Sequence, residues 1–375
     1  MPGHLSEGWR RLGCRVEEFF YGSHMGKSWK REGRQANHRI NLELLYTARR
    51  LRAEGRLDLI FAVIYDDVLE EETAQQLRLL QVPMVNYHVD LVGQWHRVLR
   101  TGKYFDRLAC AQRDHWSALR RAEIRPWYMP MASNPPASAK AADDVLFDGV
   151  LYLGSPWEFR RRALSEIAHA GLPLRVFGHG WQTDDRLDES KAQPWLKILH
   201  DLRYYAKPYL AEMGVGNALS AIQRRLRLWR GRPSSSAEVP GECLYGEYSD
   251  AMFDPLVKGA AINLGFAHFS NTPGTHQERR QLRLRDFEIP MAGGFYLAQD
   301  CAQLRELFHP GVDIATWDSM KDLLEKIRYY LAHPAERRRL SAAGQAHVRK
   351  HHTWERRFRD LLRDLNLPVP RKENG

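Results

Sequence analysis

The stretch that decides the fold covers residues 284–297 and reads LRDFEIPMAGGFYL. It places a cation, Arg285, three residues before a carboxylate, Glu288, so that the two side chains share a face if the segment is helical. The glycine pair at 293–294 can end such a helix in a left-handed conformation. The apolar run at 295–298 then predicts a buried strand, so the stretch indicates a helix that leads directly into a sheet.

The Arg285 and Glu288 pair also suggests a ligand. A cation and a carboxylate that point from one helix face into a cleft suit a phosphorylated, polyhydroxylated molecule, because Arg pairs with phosphate and Glu accepts hydrogen bonds from hydroxyls. The alternative is a surface ion pair on a core helix.

Working outward, the residues that follow form a series of short motifs in a fixed order: Phe308, Gly311, Asp313-Ile314, Lys326-Ile327-Arg328-Tyr329-Tyr330-Leu331, His333-Pro334, Ala343-Gly344 and His352-Thr353-Trp354-Glu355-Arg356-Arg357. This series resembles the C-terminal half of group 1 glycosyltransferases, in particular the branch similar to spore-maturation glycosyltransferase-like proteins. The resemblance extends from about Val150 to Leu365. It implies the α/β GT-B fold, in which two Rossmann-like doubly wound domains face each other across a cleft, and a nucleotide sugar as donor substrate.

Composition agrees with a two-domain globular protein. The chain has 375 residues, a length that is too great for one ordinary core, and 43% of them are hydrophobic. Its 56 Lys and Arg against 46 Asp and Glu give a net charge of +10, which favours anionic partners such as nucleotide phosphates or anionic lipid head groups.

The four cysteines lie far apart and form neither a C-x-x-C pair nor a zinc spacing. Isolated cysteines of this kind indicate a reducing compartment, so we expect a cytoplasmic protein. No apolar run is long enough to span a bilayer, and we expect no signal peptide.

The first domain is expected at residues 1–133. Its pattern predicts a helix over 4–12, a strand over 14–20 and then alternating strands and helices, which is typical of a doubly wound parallel sheet. Because the sequence opens inside a helix, we expect either that it starts late or that the first strand of such a domain is absent, and the acceptor-side loop of the family cannot be assigned.

A Pro-, Ala- and Ser-rich linker is expected at 134–148 and a nucleotide-sugar-binding domain at 149–352. An insertion at about 183–241 interrupts the second domain. Five arginines fall in the run between Arg224 and Arg232, which suggests a peripheral contact with a membrane or a charged acceptor. A C-terminal helix and tail at 353–375 end the chain.

Ligands in doubly wound sheets bind beyond the C-terminal ends of the strands, and three loops meet that condition in the second domain. Gly154 and Ser155 open one loop, and the helix behind it carries Arg160, Arg161 and Arg162 in its first turns, so amides and at least one arginine would meet a phosphate. The alternative is a solvated basic turn.

The other two loops carry the candidates for the base and the sugar. Gly178 and Tyr245 could line a nucleobase pocket, a region in which the resemblance places the base. The loop before Arg285 adds further hydrogen-bonding groups, namely Asn271, Thr272, Gly274 and Thr275.

The resemblance assigns a role to Glu288, which matches the second of two glutamates in retaining group 1 enzymes and would bind the ribose hydroxyls. The position that matches the first glutamate is Arg280, a departure that leaves the grip on the sugar and the stereochemistry open. No metal site is expected, and His351-His352 does not have a metal-ligand spacing. No cofactor is expected beyond the nucleotide-diphosphate sugar.

From the first domain, His88 and Asp90 follow a predicted strand at 83–87. The resemblance places a histidine at such a strand end toward the donor sugar, whereas an isolated histidine is more often a structural hydrogen-bond partner. If the reaction inverts the anomeric centre, His88 or Asp90 would be the general base. If it retains the configuration, His88 would orient the sugar.

The sequence therefore predicts a glycosyltransferase that moves a hexose or related sugar from a nucleotide diphosphate to a glycan, a lipid-linked acceptor or a small molecule. Arg285 and one arginine of the 160–162 run would hold the diphosphate. A non-catalytic nucleotide-sugar-binding module is the second hypothesis. A nucleic-acid or membrane-surface protein is the third, and no nucleic-acid-binding motif accompanies the charge that motivates it.

Overall fold

The computed structural model describes residues 2–22, 31–136, 145–181, 210, 238–268 and 279–370. Almost all of the expected insertion lies outside these residues, including the Arg224 to Arg232 run. The four candidates Asn271, Thr272, Gly274 and Thr275 also lie outside the described residues.

A four-stranded parallel sheet forms the first half of the protein, with strands in the order β1-β2-β3-β4. The strands are β1 (Ile60–Ala62), β2 (Met84–His88), β3 (Arg107–Cys110) and β4 (Pro126–Tyr128). Every residue of β2 is buried, as expected for a central parallel strand covered on both faces. The helices of this half are α1 (Pro2–Arg11), α2 (Arg31–Ala53), α3 (Glu71–Arg78), α4 (Leu91–Gln94) and α5 (Trp116–Arg121).

The strand predicted over residues 14–20 is wrong. These residues follow α1 without joining the sheet, and β1 is the edge strand on that side. The charged residues of the segment are Arg15, Glu17 and Glu18, and the adjacent pair of glutamates interrupts the alternation of apolar and polar residues. All three are exposed, so pairing the segment with β1 would bury no continuous apolar face.

A five-stranded parallel sheet forms the second half, with strands in the order β6-β5-β7-β8-β9. The strands are β5 (Phe147–Leu153), β6 (Leu174–Phe177), β7 (Ala260–Leu264), β8 (Tyr296–Gln299) and β9 (Ala315–Trp317). The helices are α6 (Glu158–His169), α7 (Asp250–Gly259), α8 (Arg285–Ala292), α9 (Ala302–Leu307), α10 (Met320–Ala332) and α11 (Pro334–His351). The predicted alternation of strands and helices is therefore confirmed in both halves.

Helix α8 ends as the sequence predicts. Gly293 adopts a φ of +89°, and the Gly294 amide donates to the carbonyl of Ile289 over 3.1 Å. Strand β8 begins two residues later. The chain therefore passes from the helix directly into an interior strand of the sheet.

The last helix, α12 (Trp354–Asp364), returns to the first half of the protein. Phe358 stacks on Trp9 of α1 with ring centroids 4.0 Å apart, and Arg107 of β3 donates to Asp364 over 2.7 Å. This contact joins the N-terminal and C-terminal segments on one face of the first sheet. Among the described residues, no helix has both the length and the apolar character needed to cross a membrane.

Candidate active site

The two halves meet where the strands of the first sheet end. Asp90 follows β2, and its Oδ1 lies 3.3 Å from Nε2 of Gln281, which belongs to the segment before α8. Asp114 follows β3 and pairs with Arg279 of the same segment at 3.5 Å. The segment at 279–283 therefore lies against the C-terminal ends of the first sheet, the edge at which parallel α/β sheets bind ligands.

The positive charges of three arginines act on the phenol of Tyr152 near the end of β5. Burial raises the pKa of Tyr152, while the positive charges of Arg160, Arg283 and Arg285 act in the opposite direction. Arg160 also donates to the carbonyl of Ser155 over 3.3 Å. The three cations come from α6 and from the 283–285 stretch, which are distant in sequence, and their charges act on the same phenol.

Arg283 occupies the most buried position of this arginine cluster (Arg160, Arg283 and Arg285). Its pKa is lowered, first by burial and then by the charge of Arg160, whereas Asp90 and Asp286 favour the charged form. It donates to the carbonyl of His268 over 3.0 Å. The sequence analysis missed Arg283, although its position two residues before Arg285 was a signal that could have been followed.

Arg285 and Glu288 share one face of α8, as predicted. Arg285 Nη1 donates to Glu288 Oε2 at 2.5 Å, and Nη2 donates to the hydroxyl of Tyr248. The Glu288 side chain is 8% exposed, and its Oε1 lies 3.9 Å from Nε2 of His4 in α1. The pair is thus a formed ion pair at a site where both halves contribute residues.

The carboxyl group of Asp286 holds the start of α8 in place. Its Oδ2 accepts the Arg283 amide over 2.7 Å, and its Oδ1 accepts the Tyr296 hydroxyl over 2.7 Å. Burial raises the pKa of Asp286 to about 6, against these hydrogen bonds. The sequence analysis did not select Asp286, although an acidic residue in the first turn of a helix is a common N-terminal partner.

The glycine loops after β5 and β6 touch each other. Gly178 has a φ of +144°, and a Cβ at this position would lie 2.3 Å from the carbonyl oxygen of Gly154. The indole of Trp181 donates to that same oxygen over 2.6 Å. The two loops therefore form one surface beside Ser155 and Arg160.

The three consecutive arginines of α6 point in different directions. Arg161 donates to the carbonyl of Gly180 over 3.1 Å and lies over the ring of Trp181. Arg162 pairs with Glu166, and its side chain is 77% exposed. Among these three, Arg160 is the one that the structure directs toward Tyr152.

Tyr245 lies beside the loop after β6. Its amide donates to the carbonyl of Val176 over 2.9 Å, and its ring stacks on Phe177 with centroids 5.3 Å apart. The residue is 48% exposed. An exposed aromatic ring next to glycine loops has the form expected for a base-stacking surface.

His88 is the last residue of β2 and is 1% exposed. Neither of its ring nitrogens has a hydrogen bond of good geometry to any described residue, and its ring lies edge-on to Tyr65. Burial lowers the pKa of His88 to about 3, helped by Arg97 and opposed by the backbone of Gln94. The imidazole is therefore neutral, and at neutral pH it has one N–H donor and one acceptor to offer.

Arg280 points away from the arginine cluster. It pairs with Asp318 and donates to the carbonyl of Asp300 over 3.1 Å. In the described part of the chain, no three possible metal ligands converge on the cleft.

Known proteins resemble this chain in fold. Residues 229–363 match the family model described as glycosyl transferase-like. The sucrose-phosphate synthase of Thermosynechococcus elongatus is 17% identical with a TM-score of 0.50, over 89% of this chain and 80% of that one. HepE of Anabaena, solved with UDP and glucose, is 13% identical with a TM-score of 0.48, over 90% of this chain and 83% of that one. No curated protein matches the sequence. The chain has the α/β GT-B fold of glycosyltransferase structures.

Proposed function

We propose that the protein is a glycosyltransferase that moves a sugar from a nucleotide-diphosphate donor to an acceptor bound between its two halves. The observation that carries this proposal is that Arg160, Arg283 and Arg285 all act on the phenol of Tyr152, beside the 279–283 segment that contacts Asp90 of the first half. A departing nucleoside diphosphate develops negative charge. Fixed guanidinium groups in a partly buried site stabilise that charge without having to reorganise.

The other groups of the site fit the remaining parts of such a donor. Glu288 is an acidic acceptor for the two ribose hydroxyls, and Arg285 already holds it in one orientation. The exposed ring of Tyr245 offers a stacking surface for the base. Asn271, Thr272, Gly274 and Thr275 would add polar contacts, and their assignment rests on sequence alone.

From the opposite half, His88 and Asp90 would face the sugar. Asp90 contacts Gln281 of the second half, whereas His88 is 1% exposed. On this geometry Asp90 is the better placed general base for an inverting reaction. In a retaining reaction the neutral imidazole of His88 would hydrogen-bond a sugar hydroxyl, which would satisfy its ring nitrogens.

A second candidate function is nucleotide-sugar binding without transfer. The observation that favours it is Arg280, which stands where the related retaining enzymes have a glutamate and which is bound to Asp318 and Asp300. Turnover discriminates the two functions, because a binding module would hold the donor and release no nucleoside diphosphate.

Three finer assignments rest on sequence. The likeness to the spore-maturation branch comes from the motif order. The contact of the Arg224 to Arg232 run with a membrane or a charged acceptor comes from its charge. A cytoplasmic location is supported by the four cysteines, which are all free in the described residues.

The proposal is tested with a panel of nucleotide-diphosphate sugars that differ in base and sugar. A donor at about 100 times its dissociation constant should raise the free energy of unfolding by about 2.7 kcal/mol, which a thermal-shift assay detects. The stabilising donor should then release its nucleoside diphosphate in the presence of mixed glycan and lipid acceptors. Stabilisation without release would favour the binding module, and no stabilisation by any donor would contradict the proposal.

A further inference from the structure

Away from the cleft, a cluster of imidazole and carboxylate groups joins a turn to helix α11. His309 and Asp313 lie in the turn after α9, and His347 lies in the last part of α11. The Oδ2 atom of Asp313 lies 2.9 Å from Nδ1 of His309 and 3.2 Å from Nδ1 of His347. One ligand atom from each of the three residues falls within 4.8 Å of the other two.

We propose that His309, Asp313 and His347 bind a divalent transition-metal ion of the zinc type. Zinc takes imidazole nitrogen and carboxylate oxygen at about 2.0–2.2 Å, so its ligand atoms in a tetrahedral site lie roughly 3.3–3.5 Å apart. The two separations from Asp313 are slightly shorter than that edge, and the ligand nitrogens of the two histidines lie within 4.8 Å of each other, so the three groups need only small shifts to accept an ion.

Hydrogen bonds around the cluster hold the ligands in a metal-binding orientation. The His309 amide donates to Asp313 Oδ1 over 2.6 Å, which leaves Oδ2 for the ion. Nε2 of His347 lies 2.8 Å from the carbonyl of Leu307, the kind of backbone acceptor that commonly fixes a metal-bound imidazole. With its proton on Nε2, a neutral His347 presents a lone pair at Nδ1.

The neighbouring His352 is compatible with two arrangements of the protons. Arg357 donates to its Nδ1 over 2.7 Å, so the proton of a neutral His352 is on Nε2. This Nε2 lies 3.2 Å from the Leu307 carbonyl and 3.1 Å from Nε2 of His347. If both imidazoles donate to the Leu307 carbonyl, the lone pair of His347 Nδ1 faces the Asp313 carboxylate. A cation between this nitrogen and the carboxylate would stabilise that arrangement.

A metal-free arrangement competes with this one. His352 can instead donate to Nε2 of His347, which then carries its proton on Nδ1 and donates it to Asp313. The two arrangements differ in whether a cation binds, and a metal titration therefore separates them.

The burial of the cluster predicts a structural ion with one side open to water. The side chain of Asp313 is 6% exposed and that of His347 18%, whereas that of His309 is 71% exposed. Phe308 lies between His347 and Phe287 of α8, with ring centroids 5.4 Å and 5.7 Å away. The ion would fix the turn against α11, on elements that pack behind the helix that carries Arg285.

No metal site was expected from the sequence, because neither the cysteines nor His351-His352 have a metal-ligand spacing and a GT-B cleft does not require a metal. His309 and Asp313 belong to an irregular turn, and His347 comes from a helix 38 residues beyond the first of them. Only the packing of α11 brings the three together.

The test uses the untagged full chain, freed of metal by a chelator and titrated with Zn²⁺ alone and with Co²⁺ alone. We expect one ion per chain at this site, and absorption of bound Co²⁺ in the visible range with the intensity of a four-coordinate site. His309→Ala should weaken Zn²⁺ binding by more than about 100-fold, above the range for losing a mere hydrogen-bond partner of a ligand. Because His309 is exposed, the melting temperature without metal should stay the same.

The matched control is His333→Ala. His333 is an exposed histidine at the other end of α11, with its Nδ1 on the carbonyl of Tyr329. This variant should bind Zn²⁺ like the wild type. The proposal is overturned if the wild type binds no ion, if His309→Ala keeps the wild-type affinity, or if both variants lose affinity equally.

Discussion

At the scale of single residues, the buried imidazole of His88 makes the stability of the fold sensitive to acid. Burial lowers its pKa to about 3, so the folded protein excludes a proton that the unfolded chain binds below about pH 6.5. Above that pH the buried neutral imidazole costs the folded state no stability relative to the unfolded chain. As the pH falls from 6.5 toward 3, protonation of the unfolded chain progressively lowers the stability of the fold. At pH 5 the loss amounts to about 2 kcal/mol.

His88→Phe should therefore lose less stability than the wild type between pH 7 and pH 5, by about 2 kcal/mol in the free energy of unfolding. Urea denaturation at the two pH values measures the difference. His38→Gln, a change at an exposed position, is the control. Its unfolding free energy should fall between pH 7 and pH 5 by as much as that of the wild type. An acid loss in His88→Phe as large as that of the wild type would show that His88 is not held neutral by burial.

The residues of the site divide into those that local pattern reveals and those that need the tertiary structure. Arg285 and Glu288 were predictable because i and i+3 positions share a helix face, and the structure pairs them. Arg283 and Asp286 were not selected, since their importance comes from burial against Tyr152 and Tyr296, which lie on other strands. Sequence spacing does not report such contacts.

At the scale of elements, the contact between the two glycine loops depends on Gly178. Its φ of +144° is rare for residues with a side chain, and a Cβ would meet backbone and not a movable side chain. Gly178→Ala should therefore displace the loops after β5 and β6 and lower the unfolding free energy by more than about 2 kcal/mol.

Gly171→Ala provides the comparison, because Gly171 also has a positive φ of +70° but nothing lies within 4 Å of its added Cβ. Gly171→Ala should lower the unfolding free energy by about 1 kcal/mol, which is the cost of the backbone strain alone. Urea denaturation of the two variants measures both values. If both variants lose the same unfolding free energy, the close approach of the two loops does not contribute to stability.

Helices and strands also differ in how well sequence patterns predict them. The helix over 285–292 and its end at Gly293 were predictable, because a glycine in the left-handed conformation ends a helix locally. The strand over 14–20 failed, because strand formation depends on a neighbour with which to pair. The sheet ends at β1 instead.

At the scale of the whole molecule, the last helix completes the first domain. Phe358 has no exposed surface and stacks on Trp9, so Phe358→Ala should lower the unfolding free energy by about 3–5 kcal/mol. Hydrogen exchange should show reduced protection of the α1 amides. Tyr329→Ala, at a residue 49% exposed, should cost less than about 1 kcal/mol. Unchanged protection of α1 in Phe358→Ala would contradict this account of the helix.

The proposed donor site depends on the relation between the two halves, because Gln281 and Arg279 from the second contact Asp90 and Asp114 from the first. The order of motifs in the sequence was enough to predict two facing parallel sheets. Which arginine of the 160–162 run enters the site could not be predicted, because it depends on the direction in which α6 leaves the sheet.

The most direct test of the donor site is calorimetric titration of the protein with UDP, GDP, ADP and dTDP. Arg160 and Arg162 form a matched pair on one helix, since Arg160 faces Tyr152 and Ser155 whereas Arg162 is exposed and pairs with Glu166. We predict that at least one nucleoside diphosphate binds the wild type. Arg160→Ala should weaken that binding by about 10- to 100-fold, the range for losing a charged hydrogen-bond partner, and Arg162→Ala should change it by less than about twofold. The account is contradicted if no nucleoside diphosphate binds, or if the two variants affect the affinity equally.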